Sequence, residues 1–174
     1  TAVDGGVIIQ FDDAEVSDLS FVLTMLQNSG KDIIITTGET INADSLDDIA
    51  TVDATVHLNS GNSELLFKSD VIGNFEGTGD LTLSISDSAI SMTSKQKEAA
   101  GNARVFSIEL TRGDVEQHEF GTFTLALSYD LDLQEGKELK VWRIGDNGEK
   151  TYATNVQFKD GKVSSFDAKN GKET

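Results

Sequence analysis

The chain has 174 residues, with 14 basic against 30 acidic side chains for a net charge of −16, and contains neither cysteine nor proline. That length buries a core without metal or disulfide staples, and the missing cysteines exclude disulfides and thiolate metal sites. The acidic balance argues against nucleic acid and anionic membrane surfaces as partners, because phosphate binding draws on clustered Lys and Arg. A self-repelling extracellular surface is the plainer expectation. No apolar run approaches the length of a membrane span, so no membrane insertion is expected. Thr1 is not preceded by a basic and apolar leader, which reads as a chain excised from a longer protein.

Taken in order, Val7 to Phe11 is a short apolar strand, and Asp12 with Glu15 has the spacing of a helix N-cap and its N3 partner. Leu19, Val22, Leu23 and Leu26 continue at helical spacing, and Ser29-Gly30 supplies the stop, although Phe21 to Leu26 is apolar enough for a strand. Asp32 to Thr37 (DIIITT) reads as a buried strand. A weak repeat then relates residues 41–58 to residues 66–83: a strand end, an Asp-containing cap, a helical turn and a strand occur in both. Leu46 and Ile49 correspond to Ile72 and Phe75, and Val56 and Leu58 to Leu81 and Leu83. Each copy is too small to bury its own apolar face, so the two are expected to pack together or share a sheet.

Thr93-Ser94-Lys95-Gln96 is a capping-box pattern opening a two-turn helix that ends at Gly101. Phe106, Ile108 and Leu110 alternate with polar residues as a strand, and so do Phe123, Leu125 and Leu127 in Thr122 to Ser128. The last third carries Asn147-Gly148 and Asp160-Gly161, dipeptides that suit two-residue hairpin turns. Without a Pro-rich, Ser/Gly-rich or charged linker, residues 1–174 read as one β-rich domain, with a possible internal boundary near residues 101–104. About ten strands and three short helices predict a mainly β fold, a β-sandwich with two or three short helices in crossovers, rather than a parallel α/β sheet.

The order of elements resembles a β-sandwich domain that recurs in surface proteins of Gram-positive bacteria, often beside S-layer homology modules. Its parts look like the capped helix at Ser94 to Gly101, the strand Val105 to Leu110, the long strand Phe120 to Tyr129, the aromatic strand Val141 to Ile144, the Asp146 to Gly148 turn, and the final pair over Val156 to Phe166. The likeness covers roughly Ile33 to Phe166. Ser128 stands where such domains commonly have proline, and their His-Phe-Ser-type closing strand is not evident. The resemblance implies a structural or adhesion role at a cell surface, beside other modules of the same protein, and carries over no site residues.

Chemistry-bearing candidates are few. His57 and His118 do not have metal-ligand spacing, and His57, alternating with Val56 and Leu58, is expected on the polar face of a strand. No G-x-S-x-G elbow occurs, and GNFEGTG at Gly73 to Gly79 lacks the spacing of a phosphate loop and reads as a turn. The carboxylate pairs Asp12/Asp13 and Asp47/Asp48 are expected at helix starts, where they cap amides rather than cleave sugars. Arg112-Gly113-Asp114 reads as turn chemistry more readily than as an integrin ligand. Asp130, Asp132 and Glu135 offer an alternation of oxygens to calcium but miss the EF-hand spacing, so they read first as a solvated acidic loop. Trp142, with Tyr129 and Tyr152, is the remaining candidate, because an exposed aromatic on a sheet face stacks on sugar rings. Lys140, Trp142 and Ile144 share one face and Leu139, Val141 and Arg143 the other, so alternation alone does not orient Trp142, and a core position is the simpler expectation. The sequence thus predicts a non-catalytic, cofactor-free module, with carbohydrate binding to cell-wall or plant polysaccharide as the alternative.

Overall fold

The computed structural model describes the backbone of residues 2–3, 6–10, 19–86, 92–117, 121–127, 138–159, 162–163 and 166–170, and the side chains within 6–10, 19–86, 92–117, 123–127 and 140–151. The fold is mainly β, with several sheets and a few short helices, as the sequence predicts. Strands β1 (Ala2–Val3), β2 (Gly6–Gln10), β3 (Asp32–Thr37), β5 (Ala54–Ser60), β6 (Ser63–Lys68), β10 (Gly121–Ala126) and β14 (Phe166–Asn170) form a sheet in the order β1-β2-β3-β5-β6-β10-β14. A second sheet has the order β4-β7-β8-β9, from β4 (Thr40–Ile41), β7 (Leu81–Ser86), β8 (Ser107–Arg112) and β9 (Val115–Glu116). The third consists of β11 (Glu138–Ile144), β12 (Lys150–Lys159) and β13 (Lys162–Val163).

Among the described residues, parallel pairing occurs only where a helix supplies the crossover it requires. Strands β2 and β3 run parallel across helix α1 (Leu19–Gln27), and β3 and β5 run parallel across β4 and helix α2 (Ala43–Ile49). Helix α1 is helical through Phe21 to Leu26, so the strand alternative does not hold. Leu19 and Leu23 are buried, and the helix ends where Ser29 N–H bonds the Leu26 carbonyl and Gly30 takes φ 66°. Asp12 and Glu15 lie outside the described residues. The strand face opposite solvent follows the sequence period: Ile33 and Ile35 on β3, Val56 and Leu58 on β5, and Leu65 and Phe67 on β6 are all buried.

Residues 41–58 and 66–83 cross between the same two sheets in opposite directions. The first segment leaves β4 in the second sheet, turns through α2, and enters the first sheet as β5. The second segment leaves β6 in the first sheet, turns through a 3-10 helix at Ser69–Asn74, and enters the second sheet as β7. The antiparallel pairs β5–β6 and β4–β7 are therefore counterparts of one another. Leu46, Ile49, Ile72, Phe75, Val56, Leu58, Leu81 and Leu83 all join one core cluster, in which Phe67 and Phe75 meet edge to face with centroids 5.9 Å apart. Full burial of each aliphatic side chain contributes on the order of 1.5–3 kcal/mol, which explains why two half-cores merge rather than stand apart.

Buried polar side chains tie these crossings to the main chain. Ser69, 1% exposed, donates to the Val52 carbonyl at 2.5 Å and accepts from Ala54 N–H at 2.9 Å, supplying partners that no ladder provides at the start of β5. Asn59 donates to the Thr37 carbonyl at 2.7 Å, and Ser60 links the Glu39 carboxylate at 3.1 Å to Ile85 N–H at 3.3 Å, joining the end of β5 to β7. Gln117 clamps Glu76, accepting its N–H at 2.8 Å and donating to its carbonyl at 2.9 Å. Gly77 and Gly79, at φ 87° and 109°, bring this Gly73–Gly79 stretch against the β8–β9 hairpin. It is a packed turn, as its spacing suggests.

Candidate functional site

The Trp142 strand sits in a hairpin anchored to the body by a capped helix. Helix α3 (Ser94–Ala100) carries the capping box that the sequence predicts: Thr93 Oγ1 accepts from Gln96 N–H at 3.2 Å, Gln96 Oε1 accepts from Thr93 N–H at 2.8 Å, and Gly101 ends the helix at φ 58°. The same two side chains reach the β11–β12 turn. Thr93 Oγ1 donates to the Asp146 carbonyl and Gln96 Nε2 to the Asp146 carboxylate, both at 3.2 Å.

That turn is not the two-residue connection expected from Asn147-Gly148. Ile144 pairs with Lys150, Gly145 N–H bonds the Glu149 carbonyl, and Gly148 N–H closes on the Gly145 carbonyl with Gly148 at φ 84°. This is a three-residue hairpin loop closed by a glycine bulge. The bulge glycine packs on α3: a Cβ on Gly148 would lie 2.8 Å from the Lys95 carbonyl oxygen. Asp160-Gly161 lies outside the described residues, with Lys159 and Lys162 paired on either side.

The register places Trp142 opposite Tyr152 and shifts between Val141 and Trp142, where Val141 pairs with Thr154, so that Ala153 is the extra residue of a bulge. Val141 packs against the core, which turns the neighbouring position outward. Trp142 is 47% exposed, so the core position favoured by simplicity is overturned. Lys140 and Lys150 are exposed on the same face, and Arg143 and its partner Thr151 are exposed on the other. Of the other aromatic candidates, Tyr152 is described only in its backbone and Tyr129 not at all. The calcium candidates Asp130, Asp132 and Glu135 also lie outside the described residues.

The remaining candidates take structural positions. Asp47 and Asp48 do not start a helix: Asn42 is the N-cap of α2, its Oδ1 accepting Ser45 N–H at 2.8 Å, and Asp80 accepts Ala43 N–H at 2.9 Å. Asp47 instead receives Arg112 at 3.2 Å. Within Arg112-Gly113-Asp114, Gly113 takes φ 59° in the two-residue β8–β9 turn while the Arg112 side chain, 16% exposed, is drawn inward toward Asp47. An integrin-type display of that arginine does not fit this geometry. His57 projects from the face opposite Val56 and Leu58 and is half-buried, with Nδ1 2.6 Å from Glu64 Oε1. His118, Asp12 and Asp13 lie outside the described residues. Among the described residues, no group of three or more His, Asp or Glu could hold a metal ion, and no helix is long and apolar enough to cross a membrane.

An open depression beside the end of α2 is lined by Ala50, Thr51, Val52, Asp53, Lys68 and Asp70, with Lys68 Nζ 3.7 Å from Asp53. A separate apolar surface runs along α1, where Phe21 is 67% and Met25 59% exposed. What sequence reasoning missed is the pair of exposed lysines, Lys140 and Lys150, on the face of the hairpin that carries Trp142. In comparisons with protein-family models, curated proteins and solved structures, the chain matches none.

Proposed function

We propose that this chain is a non-catalytic structural or adhesion module of a secreted or cell-surface protein. One observation supports the reading above others: Gln96 of the capped helix and the Asp146–Gly148 turn, two parts of the resemblance about fifty residues apart, meet as one lock. The polar residues of that pattern are thus committed to holding a scaffold. Ser69, Gln117 and Asn59 are likewise committed to main-chain partners. Such a module works through its shape and its neighbours in the parent protein. The test is a screen against glycosidase, esterase and peptidase substrates, with no turnover above blank expected. Turnover that disappears on changing one acidic residue overturns the proposal.

A second reading, carbohydrate binding, is favoured by the exposure of Trp142 on the hairpin. A rigid aromatic on a sheet anchored to a helix is pre-organised for stacking on a sugar ring. If the emission of Trp142, the sole tryptophan of the chain, ignores a panel of cell-wall and plant polysaccharides, this reading fails.

A further inference from the structure

Charge is divided unevenly along the chain. Residues 137–174 hold eight basic and six acidic side chains (8 − 6 = +2), whereas residues 1–136 hold six and twenty-four (6 − 24 = −18), which together give the net −16. The hairpin itself, residues 138–159, holds four basic and three acidic side chains (4 − 3 = +1), and two of its lysines flank Trp142. Lys140 lies two residues before Trp142 on the same strand, hence on the same face, and Lys150 pairs with Ile144, which lies two residues after it. Lys140, Trp142 and Lys150 are all exposed, and β11 is an edge strand of its sheet.

We infer that this face of the β11–β12 hairpin binds an anionic polysaccharide, with Trp142 stacking on a sugar ring while Lys140 and Lys150 meet the ring's carboxylate or phosphate substituents. The inference rests on the carbohydrate reading and adds the ligand class. Three features select that class. The aromatic supplies a flat apolar surface that a sugar face matches, and the lysines supply point charges on either side of it. The cationic patch is small and is surrounded by a strongly acidic chain. That favours a polymer with sparse charges over the dense phosphates of a nucleic acid.

The test uses the whole chain with polygalacturonate, hydroxyethylcellulose, polyglutamate and oligo(dT) as probes, read by Trp142 emission and by retardation in affinity gels. The expected result is binding to polygalacturonate alone, weakening about tenfold between 50 and 200 mM salt for two to three charge contacts. Trp142→Ala should weaken it about tenfold. Lys140→Gln with Lys150→Gln should flatten the salt dependence. Unchanged far-UV circular dichroism and melting temperature establish that both variants fold.

Equal, salt-independent binding of hydroxyethylcellulose overturns the anionic class and leaves carbohydrate binding standing. Absence of binding to either glycan overturns both. Retention on polyglutamate or oligo(dT) that survives Trp142→Ala reveals plain ion exchange and overturns the inference. Concentration-dependent self-association, abolished by the lysine variant and unaccompanied by glycan binding, assigns the face to a second copy and overturns it too.

Discussion

Gly148→Ala tests whether the hairpin is held by its turn. At φ 84° an alanine meets the left-handed penalty of about 1–2 kcal/mol. Its Cβ would also lie 2.8 Å from the carbonyl oxygen and 3.1 Å from the carbonyl carbon of Lys95. Those atoms belong to the first turn of α3 and cannot rotate away as a side-chain tip would. Relief requires the turn to lift, weakening the Thr93 and Gln96 contacts with Asp146, each a net ~0.5–1.5 kcal/mol. The total is about 2–5 kcal/mol. For a chain of this size that lowers the melting temperature by roughly 4–20 °C. Gly30→Ala is the matched control, because Gly30 has φ 66° but nothing within 4 Å of the added carbon, so it carries the conformational cost alone. Thermal melts followed by circular dichroism and by Trp142 emission make the comparison. Equal melting temperatures for the two variants refute the docking argument.

Ser69→Ala strands a buried carbonyl and a buried N–H at the start of β5 and should cost about 2–4 kcal/mol in urea denaturation; Ser69→Thr, which keeps the hydroxyl, should recover part of it. Leu46→Ala and Ile72→Ala, at corresponding repeat positions and each at most 2% exposed, should both cost about 2–5 kcal/mol, and a tenfold smaller loss at either one breaks the equivalence of the copies. Phe21→Ser, on the outer face of α1, should shift the urea midpoint by less than about 0.5 kcal/mol equivalent.

Much of this fold was legible because period and caps agree locally. The apolar run in DIIITT, the alternation in Ser107–Leu110, and the Thr93 to Gln96 box each identified an element from neighbours in sequence alone. What failed depended on distant partners. Asn147-Gly148 has two-residue turn chemistry, yet the loop there spans Asp146 to Gly148 and packs on α3. The two-residue turn of the β5–β6 hairpin falls instead on Gly61-Asn62, where Gly61 takes φ 59° between the paired Ser60 and Ser63. Asp47-Asp48 matched a helix start in composition, but Asn42 stands one bond before the first helical residue and takes the cap. The orientation of Trp142 turned on a bulge at Ala153 and on the packing of Val141, neither of which leaves a mark in alternation. Pairing along the parallel strands was equally silent, since it is set by the crossovers and not by the strands themselves.

Strands β1 and β14, the first and last among the described residues, form opposite borders of the same sheet. Six ladder steps separate them, and at about 4.8 Å per step they stand roughly 29 Å apart. Copies or neighbours threaded through such a unit would advance by the width of that sheet at each junction. Tension on the two ends would run across the ladders in series, through every rung between the borders, so the weakest pairing would set the force at which the unit yields.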